Sequence, residues 1–135
     1  MFIYFSYIRY FDVSSKTETF YIVVRLIGNR SSLSGRVEVY YEGVWGTVCD
    51  DSWDINDGHV VCRMLGQTHA LEVSRNARHG QGTGKIWLDD VQCNGNEKSL
   101  SLCAHRPWGS HGCDHSEDAG VTCSTEGNLI CSNKH

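Results

Sequence analysis

The sequence lacks the close cysteine pairs that most zinc sites use. It has seven cysteines in 135 residues, yet no C-x-x-C occurs anywhere. A zinc cage usually needs such pairs, because one turn of the chain must deliver two thiolates to one ion. Disulfides are therefore the favoured interpretation over a metal cage, and they indicate an oxidising compartment.

Long apolar runs are also absent. No stretch approaches the ~18 residues that a membrane-spanning helix needs, so we predict no membrane span in this chain. The first segment, MFIYFSYIRYFDVSS, is interrupted by Arg9 and has no small-residue cleavage site, which makes it a poor signal peptide. We expect residues 1–23 to be an N-terminal extension of uncertain structure, in a piece of a longer secreted or membrane-anchored protein or in a chain with a misassigned start.

Basic residues are too few for a nucleic-acid binder. Lysine and arginine number 12 against 16 acidic residues, for a net charge of -4, whereas phosphate contacts require a dominant basic surface. One segment, SRNARHGQGTGK, does concentrate Arg75, Arg78, His79 and Lys85. These side chains suit the sulfate, phosphate or carboxylate groups of polyanions. Their low density favours ordinary solvated charge, but Arg75, Arg78 and Lys85 remain candidate ligand-binding residues.

Catalytic motifs are missing as well. The chain has no G-x-S-x-G and no H-E-x-x-H. The nearest candidate is HGCDH, with His111, Cys113 and His115 on alternate residues. A disulfide at Cys113 would remove both nucleophile and thiolate ligand. We therefore predict no catalytic residues, interpret these histidines as solvated loop residues, and do not expect an enzyme.

Short patterned segments are what the sequence does contain. GRVEVYYEGVWGTVC alternates apolar and polar residues around Glu42 and Gly43, which predicts a β-hairpin. DINDGHVVCRMLG predicts one amphipathic helix that begins after Asp54 and ends at Gly66. Residues 66–85 are expected to be a long surface loop, followed by strands in KIWLDDVQC and AGVTC. Together these elements predict a small α+β domain dominated by strands.

The four tryptophans admit two interpretations. Trp45, Trp53, Trp87 and Trp108 are a candidate set for stacking on carbohydrate, or they pack in and around the core. Packing is favoured, because indole buries a large area and these residues lie beside cysteines at the ends of predicted elements. Trp108, within a loop, is the strongest exception and is kept as a candidate ligand-binding residue.

The motifs VRLIG, GRVEVYYEGVWGTVCDDSWD, VVCRMLG, KIWLDDVQCNGNE and HSEDAGVTC, in this order, resemble the scavenger receptor cysteine-rich domain family. The resemblance runs from Val24 to Ser124. It implies a small disulfide-stapled α+β domain in which a curved antiparallel β-sheet cradles one α-helix. The domain is accordingly expected over residues 24–124, with a C-terminal tail at residues 125–135.

The resemblance also implies a disulfide pairing that the sequence alone leaves open, since six cysteines allow fifteen connectivities. The implied bridges are Cys49 with Cys113, Cys62 with Cys123, and Cys93 with Cys103. The extra bridge of eight-cysteine members is missing, because its places hold residues 32–34 and Gln67. The chain thus resembles the six-cysteine subgroup.

Two further positions are expected to carry modifications. Cys131 remains unpaired in a polar segment, which predicts a disulfide-linked dimer or a partner beyond this chain. Asn29 begins the only N-x-S/T sequon, which predicts glycosylation.

The paired aspartates of CDDSWD are candidate metal ligands. In several members of the resembled family, the matching residues bind a divalent cation, which implies a site at Asp50, Asp51 and Glu117. Oxygen ligands suit calcium, with magnesium as a poorer competitor. A second family site implies Asp89, but its other ligand position holds Gly112. The alternative is that the aspartates cap turns or face water.

These observations leave two function classes. The first is an extracellular ligand-binding module of a scavenger or pattern-recognition receptor, secreted or in a cell-surface ectodomain, which binds proteins or polyanions through calcium-assisted contacts. The alternative is a structural interaction domain of a larger secreted or matrix enzyme, with no ligand of its own.

Overall fold

The structure is a computed structural model, and it describes residues 8–12, 17–28, 31 and 33–125. Two strands near the N-terminus, β1 (Ile8–Asp12) and β2 (Thr17–Tyr21), form an antiparallel sheet of their own. They lie within the segment predicted to be an extension. The division of the chain at residues 23 and 124 stays a prediction.

The main sheet gathers the other six strands. Those strands are β3 (Val23–Ile27), β4 (Ser34–Tyr41), β5 (Val44–Val48), β6 (Ala70–Ser74), β7 (Lys85–Leu88) and β8 (Gly120–Cys123). Their order is β6-β8-β4-β5-β7, and β3 pairs with β4 on its other side. Every pair is antiparallel except β5 with β7, which is parallel. The predicted α+β architecture is confirmed, and the parallel pair adds a crossover that the sequence did not reveal.

The β4–β5 hairpin forms where the alternating pattern predicts it. Glu42 and Gly43 turn the chain with φ angles of 49° and 82°, the left-handed conformation that a tight two-residue hairpin requires. Val37 and Val39 of β4 are fully buried on the inner face. Because side chains alternate along a strand, neighbouring Glu38 lies on the outer face of the sheet.

Helix α1 (Ile55–Met64) packs against the inner face of the sheet. Asp54 caps its first turn, as predicted, and Gly66 follows the last turn with a φ of 86°. The helix approaches the sheet closely at Gly58, where an added Cβ would come within 2.6 Å of Val73 Cγ1. Within the described residues, no helix has the length and apolar character needed to cross a membrane.

Three disulfides cross-link the domain with the pairing that the resemblance implies. Their Cα–Cα distances are 6.3 Å, 5.5 Å and 4.7 Å for the bridges Cys49–Cys113, Cys62–Cys123 and Cys93–Cys103. The second bridge attaches α1 to β8, and it lies in the buried core. The third closes a short loop that contains a single 3₁₀ turn, Leu100–Leu102.

Part of the predicted loop at residues 66–85 is a strand, so that prediction is wrong for β6. Leu71 and Glu72 are both exposed, and the register shifts between Ala70 and Glu72. A bulge of this kind destroys the alternation of buried and exposed residues by which a strand is recognised in sequence. The rest of the segment is a loop, as expected.

Candidate metal centre

Two parallel strands end at the same edge of the sheet, and each is followed by a pair of aspartates. Residues 50–51 come just after β5, and residues 89–90 come directly after β7. The backbone N–H of Cys49 donates to the carbonyl of Leu88 at 2.9 Å, which holds the two strand ends together. Parallel pairing therefore places four carboxylates in one region of the molecule.

A third segment is held against this edge by the Cys49–Cys113 bridge. The chain after Cys113 forms a 3₁₀ turn at His115–Glu117, and the Asp50 N–H donates to the Glu117 carbonyl at 2.9 Å. The Glu117 side chain accepts the Asp114 N–H at 3.0 Å, which orients its carboxylate. The bridge and these hydrogen bonds add a fifth acid to the edge.

We call Asp50, Asp51, Asp89, Asp90 and Glu117 the acid cluster. Asp51 is exposed at its centre, and one of its carboxylate oxygens lies within 4.8 Å of an oxygen of Glu117. Partial desolvation, followed by the negative charges of Asp89, Glu117, Asp50 and Asp90, raises the pKa of Asp51. The five acids therefore share one electrostatic environment.

The sulfur atoms near the acid cluster are not ligands. Cys49 and Cys113 lie within the same 4.8 Å group as Asp51 and Glu117, but they are joined in a disulfide and carry no thiolate. Among the described residues of this group, the remaining donors are carboxylate oxygens.

The predicted ligands differ in how much of their bonding capacity is already used. Asp50 is buried, and its Oδ2 accepts the Asn76 N–H at 2.7 Å. Asp89 is only 3% exposed, and its Oδ1 has no hydrogen-bond partner among the described residues. Its Oδ2 lies 4.0 Å from Arg106 Nε. Gly112 supplies no side chain, so the second cation site stays a prediction that rests on Asp89.

Sequence reasoning missed Asp90 as a member of the acid cluster. Its carboxylate accepts the Ser52 hydroxyl, and its φ of 56° turns the chain sharply after β7. The signal was present in the sequence, because LDD repeats the paired acids of CDD after another strand. Recognising it required the parallel pairing of β5 with β7.

The two candidate arginines have separate partners. Arg75 donates to the Trp53 carbonyl at 2.5 Å, a contact that fixes the chain just before α1. Arg78 forms an exposed ion pair with Glu72 at 3.7 Å. Neither contact brings Arg75 and Arg78 together into one anion-binding site.

Lys85 contacts an aromatic ring of β7, and Trp108 contacts one at the end of β4. Lys85 Nζ lies 5.2 Å from the ring centroid of Trp87. Trp108 is half-buried and stacks on Tyr41, with ring centroids 3.9 Å apart and planes 6° from parallel. Packing therefore engages Trp108, although part of its ring remains accessible.

His115 is a structural residue rather than a solvated loop histidine. Its Nδ1 lies 3.0 Å from the buried carboxylate of Asp118, and its Nε2 lies 3.0 Å from the Gly84 carbonyl. Burial opposes its charge, but the hydrogen bonds to Gly84 and Asp118 raise the pKa of His115 on balance. His111, in contrast, accepts the Cys113 N–H in an exposed loop.

Two predicted positions, Asn29 and Cys131, lie outside the described residues. Glycosylation at Asn29 and dimerisation through Cys131 therefore stay predictions.

Known proteins similar to this chain include a scavenger receptor and a lysyl oxidase homolog. Macrophage scavenger receptor types I and II of Mus musculus is 53% identical over 102 residues, which are 76% of this chain and 22% of that receptor. Lysyl oxidase homolog 2 of Xenopus tropicalis is 54% identical over 104 residues, which are 76% of this chain and 14% of that protein. The chain thus spans less than a quarter of the length of these relatives.

Solved structures agree in fold as well as sequence. The SRCR domain of mouse MARCO, in its dimeric form, is 50% identical with a TM-score of 0.64, covering 75% of this chain and 94% of that one. The third SRCR domain of murine neurotrypsin is 45% identical with a TM-score of 0.70, covering 76% and 95%.

A family model for the scavenger receptor cysteine-rich domain matches residues 27–124. This match, the relatives above half identity and the six paired cysteines agree with one another. The chain is an extracellular module that belongs to the scavenger receptor cysteine-rich domain family.

Proposed function

We propose that the chain is a ligand-binding module whose acid cluster holds a divalent cation, and that the cation contacts protein or polyanionic ligands. The observation that carries the proposal is the convergence of four other carboxylates on Asp51, which raises its pKa. Like charges repel, so such a group is costly unless a cation compensates it. Calcium is the expected ion, with magnesium as a poorer competitor.

The donor set fits calcium by its chemistry. Calcium takes six to eight oxygen ligands with flexible geometry, and the acid cluster offers carboxylate oxygens from three chain segments. Asp51 and Glu117 are the central ligands of the proposal, because an oxygen of each lies within 4.8 Å of an oxygen of the other. The Oδ1 of the buried Asp89, which has no hydrogen-bond partner among the described residues, is a further available oxygen.

The cation would supply positive charge to an acidic surface of the protein. The chain carries a net charge of -4, and an acidic surface repels anions such as sulfated polysaccharides. A cation held by Asp51 and Glu117 retains coordination positions for water or for an anionic group of a ligand. Binding of polyanions is then expected to depend on calcium.

The second candidate function is a structural interaction domain without a ligand of its own. It is supported by the similarity to lysyl oxidase homolog 2, of which the chain matches only a part. Under this alternative, the acids of the cluster cap turns or face water, and calcium binds no more tightly than to scattered surface acids.

Calorimetric titration of calcium into the isolated chain tests the proposal. Wild type is expected to give a saturable binding heat, and Asp51→Ala is expected to lose most of the affinity. Glu42→Gln is the matched control, since Glu42 is an exposed acid in the β4–β5 turn. Absence of a saturable heat in wild type, or equal affinity in Asp51→Ala, rejects the calcium site.

A second measurement tests ligand binding itself. Dextran sulfate immobilised on a sensor surface is expected to retain the chain in calcium and to release it in EDTA. Retention that is indifferent to EDTA would leave polyanion binding without a role for the cation, and it would reject the calcium-assisted mechanism.

A further inference from the structure

A polar groove lies on the outer face of the main sheet. It is an open groove of about 320 Å³ between β3, β4 and β5 and the loop that precedes β7. The residues that define its chemistry are Arg25, Arg36, Glu38, Trp45, Gln81 and Thr83. None of them belongs to the acid cluster.

The floor of the groove is a buried carboxylate between two guanidinium groups. Glu38 is 6% exposed, and its Oε1 accepts both Nε and Nη2 of Arg25 at 3.0 Å and 2.7 Å. Its Oε2 accepts Nε of Arg36 at 2.9 Å. One negative charge therefore orients two positive charges, and the triad retains a net charge of about +1 at neutral pH.

Both guanidinium groups keep hydrogen-bonding capacity on their outer edges. Within the part of the chain that the structure describes, Arg25 Nη1 and Arg36 Nη2 have no hydrogen-bond partner. The hydrogen bonds to Glu38 already fix the two planar groups. An anion that accepts from their free N–H groups therefore finds these donors already oriented. Preorganised donors of this kind bind with less loss of side-chain entropy.

The walls of the groove combine an aromatic ring with neutral polar groups. The guanidinium of Arg25 lies 4.0 Å from the ring centroid of the half-buried Trp45, which positions both side chains. Gln81 and Thr83 are exposed on the facing loop and offer an amide and a hydroxyl. An apolar ring beside fixed cations and neutral donors suits a sugar that carries one acidic group.

The loop wall is itself held in place. The Gly82 N–H donates to the buried Asp118 carboxylate at 2.7 Å, and Arg36 Nη1 donates to the Gly80 carbonyl at 3.0 Å. A Cβ on Gly82 would come within 2.6 Å of Thr47 Cγ2, so only glycine allows this close approach to the sheet. The groove is therefore defined by a loop that specific contacts hold against the sheet.

We propose that this groove binds one anionic pyranose unit, a sugar ring that carries a single carboxylate or sulfate, without a metal ion. The volume lies at the low end of the ~300–1,000 Å³ typical of small-molecule sites, which suits a single sugar better than an extended chain. The net positive charge of the triad matches a monovalent acid. The site goes beyond the proposed calcium-assisted function, because its ligand contacts come from the protein alone.

Titrations monitored by ¹H–¹⁵N NMR in the presence of EDTA test the proposal. Methyl β-glucuronide and glucose 6-sulfate probe the two acidic groups, methyl β-glucoside is the neutral control, and acetate and sulfate are the ion controls. We expect saturable shifts of the Trp45 indole and the Gly82 amide with at least one acidic sugar. Equal shifts with the neutral sugar, or with the free ions alone, would overturn the proposal.

A charge substitution at the mouth of the groove gives the matched comparison. Thr83→Glu adds a carboxylate to an exposed loop position and is expected to weaken the acidic sugar at least about tenfold, equivalent to ~1.4 kcal/mol. Asn96→Glu makes the same charge change at an exposed position away from the groove residues and is expected to leave the affinity unchanged. Equal affinities in the two variants would contradict the site.

The use of EDTA separates the two proposals. Acidic sugars that bind only in calcium would overturn the groove and support the acid cluster. If acidic sugars bind in EDTA and Thr83→Glu weakens that binding, the groove is supported. This conclusion holds whether or not calorimetry detects calcium binding at the acid cluster.

Discussion

Replacing Asp57 by asparagine removes a carboxyl group that is completely buried between α1 and the loop at Cys93. Asp57 Oδ1 accepts the Cys93 N–H at 2.8 Å, and its Oδ2 accepts the Asp54 N–H at 2.8 Å. Burial raises the pKa of Asp57 from 3.8 to about 6, although these two backbone hydrogen bonds partly oppose the shift. Asparagine has nearly the same shape, and it does not titrate.

The sign of the expected pH dependence follows from proton binding. Between pH 3.8 and about 6, the folded protein binds more protons at Asp57 than the unfolded chain does, so the free energy of unfolding falls as pH rises. A shift from 3.8 to about 6, at 1.36 kcal/mol per pKa unit, amounts to ~3 kcal/mol. This contribution is fully present below pH 3.8 and is lost above pH 6.

Urea unfolding of wild type and Asp57→Asn between pH 4 and pH 7 measures the effect. Asparagine presents an N–H₂ group to one of the two backbone donors, so the variant loses some free energy of unfolding by an amount that does not depend on pH. The pH dependence of the difference in free energy of unfolding between the two proteins therefore reports the titration of Asp57. Wild type is expected to gain most of this contribution, roughly 2 kcal/mol, relative to the variant as pH falls from 7 to 4.

An exposed acid provides the control for this measurement. Glu42→Gln is expected to give a difference from wild type that stays within about 0.5 kcal/mol across the same range. A flat profile for Asp57→Asn, or one in which wild type loses stability relative to the variant on acidification, would refute the reasoning.

Four further outcomes are expected. Asp51→Asn should raise the melting temperature in EDTA, because it relieves repulsion in the acid cluster, and lower it relative to wild type in calcium; the same sign in both conditions would contradict the cation site. Reduction of the Cys49–Cys113 bridge, which spans 64 residues, should cost about 4 kcal/mol in urea unfolding, and an unchanged midpoint would reject this estimate. Asn29 should carry a glycan when the chain is secreted from a eukaryotic host, and an unchanged mass after glycosidase treatment would show that it does not. Cys131 should support a dimer on non-reducing gels that Cys131→Ser abolishes, and a wild-type monomer would argue against it.

Local sequence patterns predicted the elements that depend on near neighbours. The hairpin turn needs left-handed backbone at Glu42 and Gly43, and the helix needs a cap such as Asp54. Both requirements involve residues only a few positions apart. They can therefore be read from a single sequence, and the structure confirms them.

Features that depend on distant parts of the chain could not be predicted in the same way. Nothing near β5 indicates that its partner is β7, some forty residues later. The role of Asp90 follows only from that pairing. The disulfide connectivity likewise came from the resemblance, because cysteine spacing alone leaves all fifteen pairings open.

The two charged regions of the domain differ in where their counter-charges come from. Arg25 and Arg36 are neutralised in part by Glu38, which lies between them within hydrogen-bonding distance. Around the acid cluster, by contrast, the only ion pair among the described residues is the 4.0 Å contact of Asp89 with Arg106.

This difference explains how one small acidic domain can be expected to recognise anions in two ways. Where the fold supplies its own counter-charge, we propose that the remaining donors of the fixed arginines bind an acid directly. Where five carboxylates meet without a comparable internal cation, we propose that the compensating charge comes from solution. A divalent ion at Asp51 would then lower the electrostatic cost of the cluster and provide the contact for a ligand in the same event.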